Sequence, residues 1–235
     1  MRTHRVYSPV LAEGLHILSG SESRHLIKVL RIRPGAKIKA FDGQGLEADG
    51  SVVRVDDPVI EVEFSKPYPS VVEAPVLITL AVALLKGDKL SEVVRRGTEL
   101  GITTFQPYVC SRCQIRELST NKMERLRRVA QEAAKQCGRS RVPVISEIVN
   151  LASLPLSSIS LVADPRATAT LLSLLPVSLP ERLTLVTGPE GGFDPQEVSI
   201  LQQRGAQLVT LGARQLRAET APLALTSAIL VPGAL

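Results

Sequence analysis

The pattern of hydrophobic and polar positions changes near residue 75 of the chain. Before it, residues 35–64 alternate apolar and polar side chains, with Asp42-Gly43 and Asp49-Gly50 as turn signals. Such alternation predicts short strands, with one face buried, that curl into a small β-barrel. Beyond it, continuous apolar runs such as residues 76–85 predict parallel strands that are buried on both faces.

Helical spacing predicts helices between these strands. Ser21 can cap a short helix in the first part, and residues 86–101 form a second helix that Gly101 ends. Residues 121–138 predict a third, long helix. Apolar strands at 158–164, 182–188 and 206–212 alternate with further helical segments. This alternation predicts an α/β domain with a mostly parallel sheet.

These patterns divide the chain into three parts. Residues 1–66 predict the small β-barrel domain, and residues 76–235 predict the α/β domain. Residues 67–75 lie between them and are rich in proline, which is typical of a linker. The strand TFQPYVC contains Pro107, which predicts a sheet edge or a bulge because proline cannot donate to a strand ladder.

Composition narrows the possible partners and the compartment. The 235 residues carry a net charge of +5, which favours a polyanionic partner. Aromatic residues make up only 3% and tryptophan is absent, so binding mainly by base stacking is not expected. The three cysteines are too few for a disulfide framework, and no signal segment or membrane-spanning run is visible. We therefore expect a cytoplasmic protein without a membrane partner.

The stretch LVTGPEGGFDPQEV combines a strand, a glycine turn and the start of a helix. Asp194, Pro195 and Glu197 predict that start, as cap, first and third helical residues. The turn lacks the lysine and hydroxyl residue of a phosphate-binding loop, and a carboxylate at Glu190 would repel a pyrophosphate. A neutral or cationic ligand fits it better. The alternative is a tight turn in which glycines only permit sharp backbone angles.

A second polar stretch, LGARQLRAETA, follows another predicted strand. Arg214, Arg217, Glu219 and Thr220 lie within seven residues of one another. Together with VADPRA at residues 162–167 and the glycine turn, this stretch is expected at the carboxyl edge of the sheet, where parallel sheets bind ligands. The alternative for Arg217 and Glu219 is a structural ion pair.

GPEGGFDPQE followed by LGARQLRAETAPLA resembles the RsmE family of ribosomal RNA methyltransferases, in the SPOUT superfamily. The N-terminal segment RHLIKVLRIRPGAKIKAFDGQG is similar to that family's PUA-like barrel, and LLKGDKLSEVVRRGTELGITTFQP to its middle motifs. Gln215 and Ala218 depart from the usual family residues. The resemblance implies a homodimer whose C-terminal domain has a deep trefoil knot.

The resemblance also implies an activity, which is S-adenosylmethionine-dependent methylation of N3 of a uridine in the decoding region of 16S rRNA. The substrate would be this rRNA within the small ribosomal subunit. The implied cofactor-binding residues are Gly188, Pro189, Glu190, Gly192, Leu211, Gly212, Leu216, Arg217, Thr220 and Ala221. Two alternatives remain, namely a related enzyme acting on tRNA or 23S rRNA, and a non-enzymatic RNA-binding assembly factor.

Uracil N3 carries a proton, so the reaction needs a proton acceptor or a cation that stabilises the uracil anion. Our hypothesis is that Glu219 handles the proton and that Arg217 stabilises the charge of the anion. Candidate RNA-binding residues are basic: Arg24, Lys28, Arg31, Arg33, Arg139 and Arg141, with Arg112 and Arg116 as further basic residues. Cys110 and Cys113 have metal-like spacing, but three distant histidines and one more cysteine give no expected metal site.

Overall fold

The computed structural model describes residues 4–176 and 178–230. It divides into two compact units. The first comprises the residues up to Glu73 together with Ala134–Val142, and the second comprises Ala74–Ala133 and the residues from Pro143 onward.

A six-stranded sheet forms the first unit. The strands are β1 His4–Tyr7, β2 Gly14–Leu18, β3 Lys37–Phe41, β4 Leu46–Asp56, β5 Val59–Phe64 and β6 Tyr68–Pro69. They run in the order β1-β3-β4-β5-β2, with β6 beside β4, and all described pairs except β1–β3 are antiparallel. Inward-facing residues such as Ile38, Ile60 and Val62 are fully buried, as the alternating pattern predicts.

The short helix between β2 and β3 differs from its prediction. It begins as α1, Gly20–Arg24, one residue before Ser21, and its cap residue Ser19 makes no side-chain hydrogen bond. It then widens into a π-helical turn at His25–Val29, and Arg31 adopts a left-handed backbone angle, with φ at 49°. Leu26 is buried in the core, and the partly buried Ile27 and Leu30 pack against the same core.

A parallel sheet forms the centre of the second unit. Its strands are β7 Leu77–Ala83, β8 Thr104–Val109, β9 Val144–Ile145, β10 Val149–Asn150, β11 Ser160–Ala163, β12 Arg182–Thr187 and β13 Gln207–Val209. The order is β10-β8-β7-β12-β11-β13, with β9 also beside β8, and every described pair is parallel. The predicted parallel α/β domain is confirmed.

The helices are α2 Lys89–Leu100, α3 Thr120–Cys137, α4 Leu171–Leu174, α5 Pro195–Gln203 and α6 Ala221–Leu230, with a 3-10 turn at Leu151–Ser153. Gly101 ends α2 as predicted, because its φ of 113° lets Ile102 donate back to the Gly97 carbonyl at 2.9 Å. None of the described helices combines the length and the apolar composition needed to cross a bilayer.

Pro107 does not lie at a sheet edge, so the edge alternative of that prediction is wrong. Strand β8 has β7 on one side, and β9 and β10 on the other. These two short strands pair with residues 104–105 and 108–109, so the ladder is interrupted at Pro107, where no N–H is available. Gln106 fills the interruption, since its side-chain amide donates to the Glu147 carbonyl at 2.7 Å.

The segment Ala134–Val142 belongs to the first unit although it continues α3, an arrangement that the domain bounds expected from sequence do not contain. Acidic residues hold it there. Lys135 pairs with Glu22 at 3.0 Å and Arg139 with Glu73 at 2.8 Å, while Ser140 donates to the buried Glu47. The expected linker also packs here, because β6 and Glu73 both lie within residues 67–75.

Candidate functional site

The loops that follow β11, β12 and β13 enclose a cavity of about 680 Å³ in the second unit, together with the start of α2. Parallel sheets bind ligands at this edge, and the volume is that of a small-molecule site. Nine of the ten residues predicted for the cofactor line it: Gly188, Pro189, Glu190, Gly192, Leu211, Gly212, Leu216, Arg217 and Ala221.

Thr220 is the tenth predicted residue and does not line the cavity among the described atoms. Its backbone N–H donates to the Arg217 carbonyl at 2.9 Å, and its own carbonyl accepts from Ala224 at 3.0 Å. Thr220 therefore connects the polar loop to the first turn of α6, which is a structural position.

The glycine turn after β12 is held by the predicted helix start. Asp194 accepts from the Gln196 N–H at 3.0 Å, while Glu197 accepts from the Asp194 N–H at 2.9 Å, which forms a capping box. A Cβ atom at Gly188 would lie 3.0 Å from the Phe193 ring, and Gly192 has a φ of 67°. The glycines thus allow both a tight turn and close approach to the cavity.

Glu190 reaches out of this turn toward the start of α2. Its Oε1 accepts from the backbone N–H of Lys86 and from the Lys89 ammonium group, both at 3.2 Å. Burial raises the pKa of Glu190, but the backbone donors and Lys89 outweigh it, so the pKa is lowered. Its Oε2 is buried and accepts no hydrogen bond from any described residue.

Lys89 also contacts the second acidic residue of the site. Its Nζ lies 3.3 Å from Oε2 of Glu219, so one ammonium group bridges two carboxylates from different loops. The hydrogen bond to Glu190 is the largest of the causes that raise the pKa of Lys89. Glu219 thus forms its ion pair with Lys89, and the expected alternative of an Arg217–Glu219 pair is not what the structure contains.

The loop after β8 is tied to the glycine turn. The Ser111 N–H donates to Glu197 Oε1 at 2.6 Å, and the Arg112 guanidinium group donates to the Gly191 carbonyl at 2.9 Å. Arg112 also lines the cavity. One side chain, Glu197, therefore joins the capping box of α5 to the end of β8.

The loop after β11 contributes Asp164 and Arg166, two cavity residues absent from the sequence-derived site. Arg166 binds both carboxylate oxygens of Asp164, at 2.9 and 2.7 Å. This bond is the main reason why the pKa of Asp164 is lowered. In the sequence, the position of VADPRA at the end of a predicted strand indicates that this loop lies at the ligand-binding edge of the sheet.

Five basic and three acidic side chains among the described residues line the cavity, which leaves a net charge of +2. Arg166 is neutralised by Asp164, and the acidic residues Glu190 and Glu219 share Lys89. Arg214 and Arg217, by contrast, are exposed. The cavity therefore has an acidic side at α2 and a basic, solvent-facing side at the loop after β13.

All six predicted RNA-binding residues lie in the first unit. Arg24, Arg31 and Arg33 are exposed, and Lys28 is exposed but paired with Asp57. Arg139 is only 5% exposed, and its charge is balanced by Glu73. Arg141 is half-buried. The exposed N-terminal set is thus better placed for phosphate contacts than the pair that follows α3.

Cys110 and Cys113 are buried, with their sulfur atoms 3.4 Å apart. Their mutual hydrogen bond is the main reason why the pKa of Cys113 is lowered. Within residues 4–176 and 178–230, no three potential metal ligands come together.

Two family models match the chain, one in each part of the sequence. Residues 72–230 match the RNA methyltransferase domain family, and residues 18–65 match the RNA methyltransferase PUA domain family. Relatives named Ribosomal RNA small subunit methyltransferase E include one from Synechocystis, 33% identical over 90% of this chain and 71% of its own length. Another, from Bacillus subtilis, is 30% identical over 90% of this chain and 88% of its own length.

Solved structures are similar over the whole chain. A Ribosomal RNA small subunit methyltransferase E from Neisseria gonorrhoeae, bound to S-adenosyl methionine, has a TM-score of 0.89 and 31% identity, and the match covers 98% of each chain. A putative methyltransferase from Legionella pneumophila, in complex with the same cofactor, has a TM-score of 0.88 and 29% identity, and covers 99% of this chain and 98% of its own.

Proposed function

Because the chain belongs to the RNA methyltransferase domain family, we propose that it transfers a methyl group from S-adenosylmethionine to N3 of a uridine in 16S rRNA. The observation that carries this proposal is the cavity at the carboxyl edge of the sheet. Nine residues that the resemblance implied for cofactor binding converge there from separate loops. A relative from Bacillus subtilis and a solved structure from Neisseria gonorrhoeae carry the corresponding name, and the solved structure is bound to S-adenosyl methionine.

The residues of the cavity fit this cofactor. Its volume of about 680 Å³ suits a nucleoside with an amino-acid tail. The glycine turn and Gly212, which has a φ of 99°, let backbone groups approach a ligand closely. Oε2 of Glu190, which is buried and accepts no hydrogen bond within the described part of the chain, suits a cationic donor group rather than a phosphate. Gly188, Glu190, Gly192, Leu211, Gly212 and Leu216 would hold the cofactor.

S-adenosylmethionine supplies an electrophilic methyl group on a sulfonium centre. The chain's own contribution is to position donor and acceptor and to manage charge at uracil N3. Arg217, which is exposed at the cavity, would stabilise the anion that forms when N3 loses its proton. Glu219 would accept that proton at a carboxylate oxygen, with Lys89 fixing the position of the carboxylate.

The RNA would be held by phosphate contacts. Arg24, Lys28, Arg31 and Arg33 lie in the unit that contains the PUA-type family match. Such charges fix the position of an RNA without reading its sequence. Charge reversal at Arg31 and Arg33 should weaken RNA binding and reduce its dependence on salt concentration, because fewer counterions are released. An unchanged salt slope would contradict their role.

Four further features belong to the proposal. A homodimer would use α6, which is almost entirely apolar but has Leu223 and Ala224 only half-buried and Ala228 exposed. The proposal also includes a knotted C-terminal chain, the small ribosomal subunit as the substrate particle and a cytoplasmic location.

The decisive experiment maps modified nucleotides in rRNA from cells that lack this protein. We expect one uridine of 16S rRNA to lose N3 methylation, and the wild-type gene to restore it. The Glu219→Gln and Arg217→Ala variants should restore it poorly. A complete set of 16S rRNA modifications in the deleted strain, with a loss in tRNA or 23S rRNA, would contradict the assigned substrate.

A thermal-shift assay tests the cofactor separately. A ligand that binds only the folded protein stabilises it by mass action, by about 2.7 kcal/mol at one hundred times its dissociation constant. S-adenosylmethionine and its demethylated product should both raise the melting temperature. No shift at large excess would favour a non-enzymatic RNA-binding protein.

A further inference from the structure

The bridge between Lys89, Glu190 and Glu219 is an acidic charge cluster on the α2 side of the cavity. One ammonium group and two carboxylates give it a net charge of −1. The two carboxylate side chains are largely shielded, with 22% of Glu190 and 17% of Glu219 exposed, while 35% of Lys89 is exposed. A net charge held in such surroundings is screened less by salt than one on the surface.

Given the methyl donor proposed above, we propose that this cluster makes the site discriminate between S-adenosylmethionine and its product, S-adenosylhomocysteine. At neutral pH the donor carries one net positive charge on its sulfonium centre, and the product carries none. The two molecules otherwise share nearly every group that a cavity can contact. The negative charge of this cluster therefore favours binding of the donor over binding of the product, which the protein can then release.

The geometry supports a role for the cluster toward a ligand rather than only within the fold. Lys89 saturates one oxygen of Glu190, yet the other oxygen is buried without a hydrogen bond from any described residue. A buried, unpaired carboxylate oxygen is costly unless a ligand group meets it. Lys89 is a positioning residue here, because it holds two carboxylates from separate loops together and limits their repulsion.

Among the described residues, the other basic side chains of the cavity form no ion pair with Glu190 or Glu219. Arg166 is bound to Asp164, and Arg112 reaches the Gly191 carbonyl. Arg214 and Arg217 are exposed on the loop after β13. This separation assigns the acidic side to the cationic donor, and the arginine side to the anionic RNA.

The test measures dissociation constants of both ligands by isothermal titration calorimetry, for the wild type and two charge variants. Glu190→Gln removes one negative charge, so donor affinity should fall relative to product affinity by about twofold to fivefold, the range for a partly exposed charge pair. Lys89→Gln adds a net negative charge and should change the same ratio in the opposite direction. Both shifts should shrink in high salt.

Opposite signs distinguish this role from a structural one. A variant that only loosens the cavity weakens both ligands together and leaves their ratio unchanged. Glu219→Gln provides a second neutralisation, expected to follow Glu190→Gln, and Arg214→Gln is the matched control, expected to leave the ratio within twofold while weakening RNA binding.

Unchanged ratios, or shifts of the same sign in Glu190→Gln and Lys89→Gln, would overturn the discrimination by charge. Failure of the wild type to bind either ligand would instead contradict the proposed cofactor. The two failures are therefore separable in a single data set.

Discussion

Replacing Glu197 with alanine should destabilise the second unit and weaken its ligand site together. Glu197 is 9% exposed, and its carboxylate accepts two backbone hydrogen bonds, from Ser111 at 2.6 Å and from Asp194 at 2.9 Å. It therefore completes the capping box of α5 and ties the end of β8 to the glycine turn.

The magnitude follows from these two bonds. A hydrogen bond to a charged group contributes about 1.5–3 kcal/mol, and water entering the space left by alanine recovers part of this. We expect a loss of about 2–4 kcal/mol. For a unit of this size, that corresponds to a decrease in melting temperature of roughly 5–12 °C.

Differential scanning calorimetry is the suitable assay, because the two units can unfold in separate transitions. Glu197→Gln should have an intermediate effect, since its amide keeps one accepting oxygen. Glu181→Ala is the matched control. Its side chain is 80% exposed and 3.8 Å from Arg182, so its removal should change stability by about 0.5 kcal/mol or less. A Glu197→Ala protein that melts within about 1 °C of the wild type would refute the reasoning.

Three further perturbations have defined outcomes. Gly97→Ala places a Cβ 2.9 Å from the Phe105 ring, so overpacking of about 1–3 kcal/mol should outweigh the gain in helix propensity and lower the melting temperature; a higher melting temperature would contradict this. Arg31→Gly relieves a positive φ and should stabilise the first unit by about 1 kcal/mol in urea unfolding while weakening RNA binding; a loss of stability would show that the backbone is not strained. Asp164 has a folded-state pKa below its ordinary value of 3.8, so its pairing with Arg166 stabilises the protein above that pH, and the contribution is lost as the pH falls. The melting temperatures of wild type and Asp164→Asn should accordingly converge below pH 4, and a constant difference between pH 7 and pH 3 would count against the pairing.

Local signals in the sequence predict local structure well. Asp194, Pro195 and Glu197 are near neighbours in the chain, and their side chains act on backbone groups within the same helical turn. The start of α5 could therefore be predicted residue by residue. The end of α2 at Gly101 is a similar case, because it depends on a single backbone angle.

Contacts between distant residues could not be predicted in this way. Lys89 and Glu190 are separated by 101 positions, and neither residue type indicates the other as its partner. Periodicity likewise predicts the long helix at residues 121–138, which the structure has at Thr120–Cys137. It does not indicate that the end of this helix belongs to the first unit, because Glu22 and Glu73 lie far away in sequence. Pro107 indicated correctly that the ladder is interrupted, but not that two short strands continue it on either side.

The hydrogen bonds at the start of α5 explain why Glu190 can occupy a glycine turn. Strand, glycine turn and helix usually expose free N–H groups that bind an anion. Here the chain's own carboxylates accept from them, since Asp194 takes the Gln196 N–H and Glu197 takes the Asp194 N–H. The Gly192 N–H donates to the Pro189 carbonyl at 2.9 Å. These donors are not available to a phosphate, while the added carboxylate of Glu190 faces the cavity with one oxygen unpaired among the described residues. The turn still lets backbone groups approach a ligand closely, as glycine permits, but its charge favours a cation instead of an anion. A cationic nucleoside ligand requires this combination.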